Sequence, residues 1–278
     1  MNRKQFLAKT LLAAGAVAVP GLYTWQVEPF WLEFVRKDMF IKNLPHYWEG
    51  KVLMQISDLH VGARFDHHFL TESFKTAAQY SPDVVVYTGD FVHRGTASDL
   101  KALAHILDTA VRGRIATLGV LGNHDYGKNW RQNQVADDVV AIAEAAGIKM
   151  LLNECADVRG LYFTGLEDLW SSRFRPEILS NIHPERANIV LCHNPDACDL
   201  GIWDGYKSWI LSGHTHGGQC RIPGLITPLL PVQNRNYISG EIDLGDGRTL
   251  YINRALGHSI QARFMVRPEI TLFTLTNA

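Results

Sequence analysis

The chain's most constraining feature is an alternation of short apolar runs with longer stretches at helical spacing, in which nearly every apolar run ends on a small polar cluster. Val52-Leu53-Met54-Gln55-Ile56 reads as a buried strand. From His68 to Tyr80, Phe69, Phe74, Ala77 and Ala78 recur at helical spacing until Ser81-Pro82 stops them. Asp83 to Tyr87 is the next strand, Leu100 to Val111 the next helix and Ile115 to Leu121 a third strand. Val135 to Ala146 is a further helix, closed by Gly147, with strands near 148–152, 161–166, 188–192 and 208–211. The final third, with strands near 237–244, 248–253 and 269–275, reads as purely β. Such alternation specifies an α/β fold rather than a bundle or a sandwich.

Five of the polar clusters have the residue types of a metal site. They are Ser57-Asp58-Leu59-His60, Thr88-Gly89-Asp90, Gly122-Asn123-His124-Asp125, Cys192-His193-Asn194-Pro195-Asp196 and Ser212-Gly213-His214-Thr215-His216. In α/β sheets, ligands gather at the carboxyl ends of strands. Imidazoles, carboxylates and an amide oxygen without thiolates suit divalent ions such as Mn, Fe, Zn or Co. In an extended segment residues i and i+2 point the same way, so Asp58 with His60, and His214 with His216, are expected to act as pairs. Asp90, with two carboxylate oxygens behind Gly89, is the natural bridge between two ions. His124 is expected to stay off the metals and face substrate.

This series, D-x-H, G-D, G-N-H-D, H and G-H-x-H, resembles the calcineurin-like metallophosphoesterase superfamily across nearly all of residues 51–278. His193-Asn194-Pro195-Asp196, Gly213 to Gln219, Arg267-Pro268-Glu269-Ile270 and Glu28-Pro29-Phe30-Trp31 resemble its bacterial YaeI-like phosphodiesterase branch. One departure is Ala255, where that branch usually has glycine; it lies outside the candidate ligands. The resemblance implies a four-layer α-β-β-α sandwich of two mixed sheets flanked by helices. It implies one divalent metal on Asp58, His60, Asp90 and His216, and a second on Asp90, Asn123, His193 and His214, with Mn favoured. His124, oriented by Asp125, becomes the general acid toward the leaving group. Two divalent ions, two carboxylates and a shared hydroxide sum to about +1, which suits a phosphodiester monoanion attacked by that hydroxide. The alternative reading is a pyrophosphatase of a UDP-linked lipid such as UDP-diacylglucosamine, and a minor one a non-catalytic metal-binding scaffold.

Charges of 27 − 28 = −1 supply no basic field to draw nucleic acid, so a small-molecule or lipid phosphodiester is the expected partner. Residues 1–24 read as an export signal or anchor. Arg3-Lys4-Gln5-Phe6-Leu7 resembles a twin-arginine signal, and the apolar run from Leu11 to Val19 is nine residues, below the roughly 20 that span a bilayer. Residues 25–50 form an aromatic-rich extension whose Trp25-to-Lys37 stretch reads as a short helix on the core, or as a peripheral membrane contact. An exported or membrane-associated bacterial protein is expected, the cytoplasmic membrane face being the alternative. Residues 51–278 make one catalytic domain. The four cysteines, lacking C-x-x-C spacing, read as free buried thiols. His67-His68 reads as a helix start, and Arg221, Arg235 and Arg254 read as surface salt-bridging residues, a grip on a second phosphate or head group being the alternative.

Overall fold

A computed structural model describes residues 3–5, 18–62, 66–222, 224, 227 and 230–278. The signal-like stretch at residues 1–24 lies largely outside these. Twelve strands among the described residues form two six-stranded sheets. The first runs β1 (Glu33–Ile41), β12 (Glu269–Asn277), β2 (Val52–Ile56), β3 (Val84–Thr88), β4 (Ala116–Val120), β5 (Lys149–Met150). The second runs β10 (Gly240–Asp243), β11 (Thr249–Ile252), β9 (Trp209–Ser212), β8 (Asn188–Leu191), β7 (Leu161–Gly165), β6 (Glu154–Val158). Both sheets are mixed. β12 is antiparallel to β2, while β2, β3, β4 and β5 are mutually parallel. β7, β8, β9 and β11 are parallel, with β6 and β10 antiparallel at the edges.

Strand alternation divides the core. Leu53, Val84, Val86, Leu118 and Val120 face the second sheet's Phe163, Ile189, Leu191 and Leu211. Their neighbours Met54, Ile56, Val85 and Tyr87 face helices. Residues i and i+1 of a strand point to opposite faces, so a strand covered on both sides must be apolar throughout; all five residues of β3 are buried. The covering helices are α1 (His67–Ala78), α2 (Ala97–Leu107) and α3 (Asn133–Ala145). Asp66 caps α1 by accepting from His68 and Phe69 amides, so His67-His68 is indeed a helix start, and Thr96 with Asp99 forms a capping box on α2. The outer face of the second sheet packs under short 3₁₀ turns, Pro176–Asn181 and Pro195–Asp199, rather than under long helices.

Two strands escape the sequence pattern. The Trp25-to-Lys37 stretch is not one helix: it turns through Tyr23–Val27 and Glu28–Phe30, then enters β1. β1 pairs with β12 in parallel over nine residues, Glu33 opposite Glu269 through Ile41 opposite Asn277. Its period-two signal lies past Lys37, where Met39 and Ile41 are buried and Phe40 is exposed. β6 is an edge strand with one buried residue, Ala156, and so too weak a pattern to read. No disulfide links the cysteines; Cys192 and Cys198 are buried as expected, but Cys155 is exposed and Cys220 half-buried. No helix among the described residues is long and apolar enough to cross a membrane.

Candidate metal centre

Each polar cluster leaves the carboxyl end of a parallel strand. Asp58 and His60 follow β2, Asp90 follows β3, Asn123 and His124 follow β4, His193 follows β8, and His214 and His216 follow β9. Because the two sheets pack face to face with these ends on one side, side chains up to 156 residues apart in sequence meet. Asp58, His60 and His216 form one group whose ligand atoms lie within 4.8 Å of one another; Asp90, His193 and His214 form another. Asp90 joins them, its Oδ2 being 3.2 Å from His193 Nε2 and 3.5 Å from His60 Nε2. Asn123 lines the same cavity as Asp90, His214 and His216.

The reason for convergence differs from strand alternation. Asp58, His60, Asp90, His214 and His216 have φ of 54°, 49°, 56°, 71° and 52°, the left-handed region that non-glycine residues seldom occupy. Single residues so held cost about 1–3 kcal/mol each and cluster where function over-determines the backbone. Successive left-handed turns, not an extended strand, aim Asp58 and His60 together, and they send His214 and His216 to different groups. Glycines permit the close approach. A Cβ at Gly89, itself at φ 92°, would lie 2.6 Å from both the Gly122 amide and His193 Nδ1. A Cβ at Gly213 would collide with the Ser57 hydroxyl and the Asp58 carboxylate.

The donor atoms fit divalent cations. His60 Nε2 and His216 Nε2 lie 2.9 Å apart with Asp58 Oδ1 3.3 Å from the latter, a crowd of lone pairs. Asn123 Oδ1 is buried without a hydrogen-bond partner, and His193 Nε2 faces the Asp90 carboxylate at 3.2 Å. Polar atoms left bare in a protein interior are costly, and a shared cation satisfies them together. Outer contacts set ring orientation: His193 Nδ1 donates to the Thr88 carbonyl at 2.7 Å and His214 Nε2 to that of Pro231 at 2.9 Å. Burial, reinforced by His193, presses His214 down to about 3, and burial holds His60 well below its ordinary value, so both offer lone pairs rather than protons. Burial pushes Asp58 and Asp90 up, but the imidazoles, His216 first for Asp58 and His193 first for Asp90, outweigh it and keep both ionised. Burial likewise opposes charge on His193, yet Asp90 and then Asp58 and Asp168 outweigh it and raise its pKa well above the ordinary value, the effect of a strongly negative surrounding.

His124 stands apart from the buried candidates. It is half-buried, its backbone N–H donates to Asp90 Oδ1 at 2.8 Å, and its Nδ1 lies 2.7 Å from the His93 carbonyl. The His93 ring stacks on it at 5.5 Å and 18°. Asp125 does not orient it. The Asp125 carboxylate accepts from the Gly122 and Val92 amides at 2.9 and 3.1 Å, pinning the β3 and β4 loops together, and burial, aided by Asp90, raises it to about 8. His93 takes the orienting part through its backbone carbonyl, which no residue-type pattern encodes. Arg254 is salt-bridged, as expected, to Glu269 and, at 2.9 Å, to Glu33. Arg221 donates to Ser239 and Arg235 to the Leu230 carbonyl. Ala255 takes φ 70°, the conformation for which glycine is the usual choice.

A cavity of about 380 Å³ opens over the two groups, walled by Trp130, Trp170, Leu230, Pro231 and Ile260. Trp130 and Trp170 stack at 4.6 Å, and Trp170 meets the His214 ring edge-on at 4.8 Å. These indoles were not legible as site residues: Trp170 lies in a loop remote from the ligand motifs, and Trp130, five residues beyond Asp125, carries no donor atom that marks it for a cation.

The profile of the calcineurin-like phosphoesterase family matches residues 51–218. The chain is 30% identical to the uncharacterized metallophosphoesterase YkuE of Bacillus subtilis over 99% of its own length and 98% of the relative's. It is 27% identical to the phosphodiesterase YaeI of Escherichia coli, covering 99% of both chains. To a UDP-2,3-diacylglucosamine pyrophosphatase, LpxG, of Chlamydia muridarum it is 26% identical over 96% of this chain and 97% of the other. Among solved structures a dimetal phosphatase from Danio rerio shares the fold, with TM-score 0.51 at 10% identity, covering 75% of this chain and 88% of that one. With two mixed sheets, Asp/His groups at their strand ends and a family profile over most of the chain, this protein belongs to the calcineurin-like phosphoesterase family and is a hydrolase of phosphoric esters.

Proposed function

We propose that the protein is a phosphodiesterase that works with two divalent ions, manganese being favoured by a donor set of hard oxygens and borderline imidazoles. Asp58, His60, Asp90 and His216 would hold one ion, and Asp90, Asn123, His193 and His214 the other. Bound there, the pair supplies Lewis acidity, an activated water and neutralisation of charge on the phosphoryl oxygens. The observation that carries the reading is the pairing of the two buried ligand groups with one accessible histidine at the same cavity. His124 Nδ1–H donates to the His93 carbonyl, which leaves Nε2 as the atom that delivers a proton to the departing oxygen. Trp130, Trp170, Leu230, Pro231 and Ile260 exclude water from one flank and favour a substrate with an apolar arm.

That apolar wall, with the likeness to LpxG, supports a second reading in which the substrate is a UDP-linked lipid cleaved at its pyrophosphate. Both readings suit action at a membrane surface. Leu22, Trp25, Trp31, Ile260 and Met265 are each more than half exposed, and Arg267 lies over the Trp31 ring. Export through the signal-like N-terminus belongs to the same proposal.

The test is a substrate panel with protein loaded with Mn, Fe or Zn. Bis(p-nitrophenyl) phosphate is expected to be hydrolysed faster than p-nitrophenyl phosphate, most rapidly with Mn. Cleavage of the monoester with the diester untouched overturns the proposal, and release of UMP from a UDP-linked lipid with no diester turnover selects the second reading.

A further inference from the structure

Behind His124 lies a second cleft of about 1440 Å³, sharing His124, Trp130 and Trp170 with the cavity over the metal groups. Its character is opposite. Arg94, Lys128 and Arg131 line it, all exposed, and no carboxylate lines it among the described residues. None of the three is held in an ion pair with a described residue. In a chain of net charge −1, three unpaired cations around one concavity are a local concentration of charge, and a concave wall focuses its field.

Lys128 and Arg131 sit on a loop with an unusual backbone. Asn129 and Trp130 both take φ 57°, and for a side chain as bulky as indole that is an outlier. The turn is held by the Gln132 side chain, whose Oε1 accepts from the Lys128 amide at 2.6 Å, and by the stacking of Trp130 on Trp170. One strained loop thus presents an indole to the apolar cavity and two cations to the cleft beside it.

We propose that the cleft of Arg94, Lys128 and Arg131 is a subsite for a second phosphoryl group, carried by the substrate beyond the phosphate that is cleaved. It deepens the phosphodiesterase reading and rests on it. The substrate is then an ester with two unlike arms that meet at His124, one apolar against Leu230 and Ile260, the other anionic.

The experiment compares binding of thymidine 3′,5′-bisphosphate and thymidine 5′-monophosphate to the full, metal-loaded chain by calorimetry, alongside hydrolysis of their 5′-p-nitrophenyl esters. The bisphosphate is expected to bind about tenfold more tightly, the sum of two exposed ion pairs, with the ratio shrinking as salt rises. Lys128→Gln/Arg131→Gln brings the ratio close to one, whereas the charge-preserving Lys128→Arg/Arg131→Lys retains it. Equal binding by the natural chain, or a tenfold preference that survives the double glutamine variant, overturns the subsite. Because binding needs no turnover, discrimination between the nucleotides with neither ester cleaved sustains the subsite and refutes the phosphodiesterase reading instead.

Discussion

Replacing His124 with alanine separates proton delivery from metal holding. The backbone N–H that donates to Asp90 Oδ1 at 2.8 Å survives the substitution, and the His124 side chain lies outside the two fully buried groups, in a third and partly exposed cluster with His60 and His93 that holds no carboxylate. What disappears is a ring fixed by the His93 carbonyl at 2.7 Å and packed 4.7 Å from the His60 ring. General acid catalysis commonly contributes about 10²–10⁴ in rate, roughly 2.7–5.4 kcal/mol of barrier at 1.36 kcal/mol per tenfold. That loss is expected in full for alkyl diesters, whose alkoxide is a poor leaving group. For bis(p-nitrophenyl) phosphate, whose phenolate departs without a proton, the loss is expected to stay below about tenfold. The assay is kcat/KM on the two esters, with metal content measured on the same preparations. Equal losses on both, or loss of bound metal, refutes the assignment of His124 as acid.

Two further expectations concern the surface and the interior. The full chain is expected to float with vesicles rich in phosphatidylglycerol, and Trp31→Ser/Ile260→Ser, at positions 51% and 61% exposed, to weaken flotation; no flotation by the natural chain removes the membrane proposal. In metal-free protein, burial raises Asp168 to about 6 and Glu167 to about 7, so the fold keeps protons that the unfolded chain releases near pH 4. With more protons bound in the native state, the contribution of these two carboxyls to stability falls as pH rises from about 4 to about 7, while the lowered His60 and His214 act in the opposite direction on the chain as a whole. The test is therefore a difference: the melting temperature of the natural chain relative to Glu167→Gln is expected to be lower at pH 8 than at pH 5, and a difference that rises with pH contradicts it.

Much of the site was written in residue types. Strand ends carrying Asp58, Asp90, Asn123, His193 and His214 need only an apolar run before them to be recognisable, because strand ends in α/β sheets are where side chains project. β2, β3, β4, β8 and β9 were legible for the same reason, since central strands buried on both faces leave unbroken apolar runs. Position in space was not. β1 is a strand because β12 offers it nine paired residues, which local sequence does not state. The pairing of Asp58 with His60 depends on left-handed backbone rather than on strand alternation. His93 orients His124 through a carbonyl, and every residue has one. Asp125 looked like a catalytic partner by adjacency, yet its carboxylate ties two loops together. Sequence alone determined which atoms are available to bind a cation. Only the packing of one sheet on the other decided which of them share it, and which indoles and cations stand around it, because those distances are set by contacts between residues far apart in the chain.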